Sequence, residues 1–237
     1  MYQNIVLHIP HNAKLIPTTI ARKEGHPHPK ELEEKSFYLI DYFTFILFSP
    51  GILNPRVSRI ISPIHRMLID MERLPNDPLE AKGFGIVSQW ALDWYGNSFR
   101  KRAMSLYNDY QDWGKEVINS FDHPLLIDCH SFSAHPTPLC ECPPDIDICI
   151  GWNEDETKPS QEVLDLIVSY FSNLGYLVSL NEPFSNSKTF AGAINYHSLM
   201  IEINKRCYMN EETVEKTEGF FKLQKELFDL YNILLND

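Results

Sequence analysis

No stretch of this sequence approaches the roughly 20 consecutive apolar residues that a membrane-spanning helix needs. Its apolar runs are short and are stopped by proline or polar side chains. Basic charge is also scarce: 21 Lys and Arg against 32 Asp and Glu leave a formal net charge of -11. That balance argues against nucleic acid or an anionic membrane as partner, because phosphate binding needs clustered cations and a favourable long-range field. Met1-Tyr2-Gln3-Asn4 runs straight into a strand-like segment with no basic, apolar leader, so a cytoplasmic protein is expected. CxxC pairs are missing too. The five cysteines, at 129, 140, 142, 149 and 207, are odd in number, so reduced thiols in or near the core are expected ahead of disulfides or a metal at Cys140-Glu141-Cys142 with Cys149. No GxSxG elbow occurs, which leaves Ser131 beside His130 without the context of a nucleophile. There is no internal repeat.

What is present suffices for a core. With 237 residues and 43% hydrophobic content, one α/β domain over residues 1–237 is expected. Short buried-strand patterns fall at residues 5–9, 57–61, 125–131, 146–151, 176–180 and 199–203. Helical patterns fall between them. One runs from Lys30 to before Pro50, with Asp41 set among apolar neighbours. Others cover about 97–120, 161–174 and 210–235. The alternation predicts a mixed, largely parallel sheet with helices on both faces. Gly25-His26-Pro27-His28-Pro29 reads as a solvated loop, Leu74 to Ile86 as another, and Ser133 to Pro144 as a proline-rich loop long enough to cover a site.

The chemistry gathers where strands end. Leu125-Leu126-Ile127 stops at Asp128-Cys129-His130-Ser131, and Ile5 to Ile9 stops at Pro10-His11; open α/β sheets bind ligands at such ends. His11 and His130 are ligand types suited to zinc, and a catalytic zinc takes three protein ligands and keeps one position open. Asp41 is the candidate third ligand, with Glu34 and His8 as alternatives; for His8 a plain core histidine is the competing reading. Glu202 projects from the apolar run Leu199 to Ile203, where burial should raise its pKa toward neutrality and suit it to act as general base on metal-activated water. Arg66 is placed to polarise a substrate carbonyl and hold the developing oxyanion. Arg73 is expected to hold a substrate carboxylate by a bidentate contact, and Asn12 and Asp70 are the other substrate-binding candidates. The competing reading of Arg66 to Arg73 is an ion-pair cluster, Arg66 with Asp70 and Glu72 with Arg73. Asp128 is expected to orient a histidine.

In order and spacing these residues resemble the N-formylglutamate amidohydrolase family of zinc-dependent deformylases, which are related in fold to zinc carboxypeptidases and aspartoacylase-like deacylases. The resemblance rests on Pro10-His11 followed by Ile16-Pro17, the acid of Ile40-Asp41-Tyr42-Phe43-Thr44, and Arg66 with Asp70 and Arg73. It continues through Asp128-Cys129-His130-Ser131, Asn181-Glu182-Pro183-Phe184, Gly192, and Glu202-Ile203-Asn204 before Tyr208-Met209. It implies a phosphorylase/hydrolase-like, zinc carboxypeptidase-like fold and one zinc, or another divalent ion, at His11, Asp41 and His130. It further implies Glu202 as base, Arg66 at the scissile carbonyl, and a small carboxylate-bearing amide such as N-formylglutamate as substrate. Two departures stand out: the family's His-Ser-Gly is His11-Asn12-Ala13, and its Asp-x-Asn-Arg is Asp70-Met71-Glu72-Arg73. The competing functions are peptide hydrolysis of a carboxypeptidase or peptidoglycan kind, and a binding protein that keeps the fold without turnover.

Overall fold

The computed structural model describes residues 1–14, 37–49 and 54–236. The Gly25 to Pro29 tract and Glu34 lie outside the described residues. Among those described, Ile5–Ile9 (β1), Val57–Ile61 (β2), Leu125–Phe132 (β3), Ile148–Gly151 (β4), Val178–Leu180 (β5) and His197–Asn204 (β6) form one sheet. Its order is β2-β1-β3-β6-β4-β5. Every neighbouring pair is parallel except β4 with β6. The four central strands are buried on both faces almost throughout, as a sheet covered on two sides requires.

Pleating sorts the side chains onto two cores. Val6, Ile60 and Leu126 pack with Phe99, Ala103, Tyr107, Tyr110 and Ile118 of the long helix Asn97–Asn119 (α3, which follows Gln89–Tyr95, α2, itself preceded by Thr44–Phe48, α1). Ile5, Leu7, Ile127, Leu199 and Ile201 point the other way, against α1, Gln161–Asn173 (α4) and Glu218–Leu235 (α5). Helices on both faces are therefore present. Among the described residues no helix is long and apolar enough to cross a membrane.

Three stretches depart from the sequence reading. The helix expected from Lys30 to before Pro50 is broken within its described part: Phe37–Leu39 is a single 3-10 turn, residues 40–43 are irregular, and α1 starts only at Thr44. The break is at Phe43, with φ 66, and it turns Asp41 inward instead of along a helix. The last helix starts at Glu218, not at 210, because Met209–Asn210 (β7) and Glu215–Lys216 (β8) pair as a small ribbon. Asn210 Oδ1 closes that turn by accepting the N–H groups of Glu212 and Thr213. Helix α2, not anticipated, is started by Ser88, whose Oγ accepts the Ala91 N–H at 3.1 Å.

Candidate metal and catalytic site

Parallel pairing brings the polar strand ends into one layer. Register places His8 opposite Asp128 and His130 opposite Glu202, and two residues after β1 the chain presents His11. Since residues two apart share a face, Asp128 and His130 point together from β3. His8 and His11 are buried, as are Asp41, Asp70, Asp128 and His130.

The two imidazoles, with centroids 5.0 Å apart, stand between two groups of carboxylates. On one side both Nδ1 atoms face Asp41: its Oδ2 is 3.3 Å from His130 Nδ1 and 3.7 Å from His11 Nδ1. On the other, His11 Nε2 is bonded to Asp70 Oδ1 at 2.8 Å. His130 Nε2 lies 3.1 Å from Asp128 Oδ1 and 3.3 Å from Glu72 Oε1. In these two rings the buried His11 Nδ1 and His130 Nε2 have no aligned hydrogen-bond partner, as is also true of His8 Nε2. Burial alone would raise the Asp41 carboxyl, but hydrogen bonds and charge from His11 and His130 hold it well below the usual range. Burial disfavours the charged His130; the charges of Glu72 and Asp128 overcome that and push its pKa well up.

Behind this layer each carboxylate has its own supports. Asp128 accepts from His8 Nδ1 at 2.7 Å and from the Ser187 hydroxyl at 3.1 Å, so His8 is not an isolated core histidine. Asp70 accepts from Arg66 Nη2 at 3.1 Å, Arg73 Nη2 at 3.3 Å and the Glu72 N–H at 3.2 Å. The expected Arg66–Asp70 pair is present. Arg73, however, turns to Asp70 and to Asp77, and Glu72 turns to the histidines, with Oε2 3.5 Å from His11 Nε2. Asn12 Oδ1 accepts the Phe45 N–H at 3.3 Å, which ties it to the first turn of α1.

Glu202 has its pKa raised to about 7, chiefly by burial; His130 opposes the rise, while Asp41 and Glu72 add to it. Together with Asp41 and Arg66 it lines a cavity of about 80 Å³, walled by Leu39, Phe132 and Phe184 and, from the Ser133 to Pro144 loop, Leu139 and Cys140. Glu72 and Arg73 line a separate recess of about 300 Å³ with Asn186 and Lys188. A further recess of about 560 Å³ lies around His123, Lys188 and His197; Gly192 lines it, and none of the candidate metal or catalytic residues does.

A carboxylate thus approaches the histidines from either side. His11, Glu72 and His130 offer atoms all within 4.8 Å of one another, and Asp41 stands across the rings from Glu72. Only the Asp41 side opens to the cavity that holds Glu202 and Arg66. Ser187 is a participant that sequence reasoning did not place, and Glu72, read there as a partner for Arg73 and as a departure from the resemblance, faces the histidines instead.

Solved structures of similar fold include an N-formylglutamate amidohydrolase from Ralstonia eutropha JMP134. It is 19% identical with a TM-score of 0.67 over 99% of this chain and 93% of that one. A gene product from Agrobacterium tumefaciens is 15% identical with a TM-score of 0.63 over 98% and 90%. At these identities the likeness shows the fold. No curated protein matches the sequence. The N-formylglutamate amidohydrolase family matches residues 3–209, a span that contains both histidines, the four carboxylates around them, Arg66 and Glu202, and the chain belongs to that family.

Proposed function

We propose that this chain is a metal-dependent amidohydrolase, a single catalytic unit that cleaves the amide of a small N-acyl amino acid, N-formylglutamate foremost. The observation that carries the reading is the two-sided arrangement of the imidazoles. A ligating histidine usually donates its other ring N–H to a carboxylate, which fixes the tautomer and raises basicity. With ligation through Nδ1, His11 does so to Asp70 at 2.8 Å; His130 has Asp128 and Glu72 within 3.3 Å of its Nε2, but that nitrogen has no aligned partner and its Nδ1 is the one bonded to Asp41. His11, His130 and Asp41 would then hold zinc or a similar divalent ion beside the cavity of Glu202 and Arg66. The unpaired Nδ1 of His11 fits that role. A bound ion would supply Lewis acidity to the carbonyl and lower the pKa of water.

The chain's own residues supply the rest. Glu202, poised near neutrality, takes a proton from the attacking water and delivers it to the leaving nitrogen. Arg66 is fixed by Asp70 and by the Leu39 carbonyl, and its guanidinium neutralises charge developing on the carbonyl oxygen. Leu39, Phe132 and Phe184 limit water around that charge. A cavity near 80 Å³ suits a small acyl group better than a peptide groove. Asp70 orients His11, and Asn12 holds α1. Arg73 lines the separate recess with Glu72 and reaches Asp70 and Asp77, so in this reading it braces Asp70.

Metal analysis of the protein with Asp41→Asn, Glu72→Gln and His130→Ala variants tests this, alongside hydrolysis of a panel of N-formyl and N-acetyl amino acids and short peptides. Expected are one equivalent of metal in the parent and in Glu72→Gln, little in the other two, and turnover of small N-acyl amino acids. Loss in Glu72→Gln with retention in Asp41→Asn would move the ion to the His11, Glu72 and His130 set. Metal without hydrolysis of any panel member would favour a binding protein.

A further inference from the structure

Residues 38–42 lie in a buried stretch that is neither sheet nor α-helix, so their carbonyls need partners from elsewhere. Each has one. Lys205 Nζ donates to the Tyr38 carbonyl at 2.8 Å, and Arg66 Nη1 to that of Leu39 at 3.1 Å. The Ile40 carbonyl accepts the Tyr42 N–H at 3.0 Å, and that of Asp41 accepts the Thr44 hydroxyl at 2.8 Å. The Tyr208 hydroxyl donates to the Tyr42 carbonyl at 2.9 Å.

Two of these donors, Lys205 and Tyr208, come from one place: the 3-10 turn Lys205–Cys207 and its closing residue, directly after β6. Lys205 is 1% exposed and Tyr208 is fully buried. A lysine is seldom buried so completely, because desolvating an ammonium is expensive unless it is partnered. Burial lowers its pKa, and Asp41 is the first charge acting against that loss. The strand that leads into this turn carries Glu202, three residues before Lys205.

We propose that Lys205 and Tyr208 are positioning residues that bracket Asp41 through the Tyr38 and Tyr42 carbonyls, locking its carboxylate to the strand that carries Glu202. The metal-holding and proton-handling sides of the site are then parts of one rigid body, and Tyr38 and Leu39 stay in place as a wall of the cavity. This rests on the reading of Asp41 as a ligand.

The test compares Lys205→Met, Tyr208→Phe, Asp41→Asn and a control, Leu164→Ala, which opens the core at α4, a helix that carries none of the site residues. Zinc affinity is measured by competition with a chromophoric chelator, Tm by melting the zinc-free proteins, and kcat and KM on an N-acyl amino acid. Lys205→Met and Tyr208→Phe should each weaken zinc binding about 10- to 100-fold, the usual effect of removing outer-shell support, and lower kcat more than they change KM. Leu164→Ala should lower Tm and leave zinc affinity alone. Tyr208→Phe removes a single oxygen and carries the test if Lys205→Met does not fold. Parent-like zinc affinity and kcat in Tyr208→Phe, with binding abolished in Asp41→Asn, would overturn the bracket alone. Parent-like affinity in Asp41→Asn would instead overturn the ligand reading beneath it.

Discussion

Replacing Glu202 by Gln should make the metal-free protein more stable at pH 8 while removing most of its activity once metal is restored. The native carboxyl has its pKa raised from 4.5 to about 7 by burial between apolar strand neighbours. A raised carboxyl pKa means that the folded state binds the proton more tightly than the unfolded chain does. Stability is therefore fullest below about pH 4.5, declines as pH rises toward 7, and stays reduced above that. At about 1.4 kcal/mol per pKa unit the shift is worth roughly 3 kcal/mol at most. Glu202 keeps part of its surface on the cavity, so solvent screening brings the expected effect to about 1–3 kcal/mol.

Glutamine has nearly the same shape and does not titrate, so Glu202→Gln escapes the decline. Urea unfolding of both metal-free proteins at pH 5 and pH 8 measures it: the variant's advantage should be larger at pH 8 by about 1–3 kcal/mol. The same difference at both pH values would refute the burial argument. With metal restored, loss of the base should lower kcat by about 10²- to 10⁴-fold with metal content unchanged. A cation beside Glu202 favours its charged form, so metal loading should also narrow the stability gap.

Metal uptake should release protons. His11 and His130 both have raised pKa values in the metal-free protein, His130 the more strongly because Glu72 and Asp128 outweigh its burial, and a ligating nitrogen must be free of its proton. Calorimetry in two buffers of different ionisation enthalpy should show more proton release at pH 7 than at pH 9, and tighter zinc binding at the higher pH; equal release would count against both histidines as ligands. Gly114→Ala should destabilise, although Ala exceeds Gly in helix propensity by about 1 kcal/mol. A Cβ there would collide with the Phe190 ring, and overpacking typically costs about 1–3 kcal/mol. Urea unfolding would decide, a stabilised variant being the refuting result. Since Phe190 stands edge-on to His8, 4.8 Å between ring centroids, the same variant should shift the His8 and His130 ring resonances.

The strands were legible because a doubly covered sheet demands short, nearly uninterrupted apolar runs, and β1, β3 and β6 consist of them. Their register added what no run shows alone, the pairing of His8 with Asp128 and of His130 with Glu202. The break at residues 40–43 was invisible for the opposite reason. Leu39, Ile40, Tyr42, Leu47 and Phe48 are all buried, so an irregular buried stretch carries the same apolar periodicity as a helix. No glycine or proline marks it, and Phe43 takes the left-handed conformation itself. What compensates is remote in sequence: a lysine and a tyrosine more than 160 residues away donate to the carbonyls that a helix would have used.

The carboxylates show a second limit. Asp41, Asp70, Asp128 and Glu202 each stood out in the sequence, since an acid beside an apolar run needs a partner or a function. Their order around the imidazoles was not. Asp70 takes both Arg66 and Arg73, which leaves Glu72 free to face the histidines; the choice depends on how the chain turns between Arg66 and Arg73, and those residues match neither helix nor strand. A ring nitrogen can hold either a proton shared with a carboxylate or a metal ion. Which nitrogen faces which acid therefore decides where the ion sits and whether it shares a cavity with Glu202. Residue types and spacing are the same for both answers, and only the folded chain separates the Asp41 side from the Glu72 side.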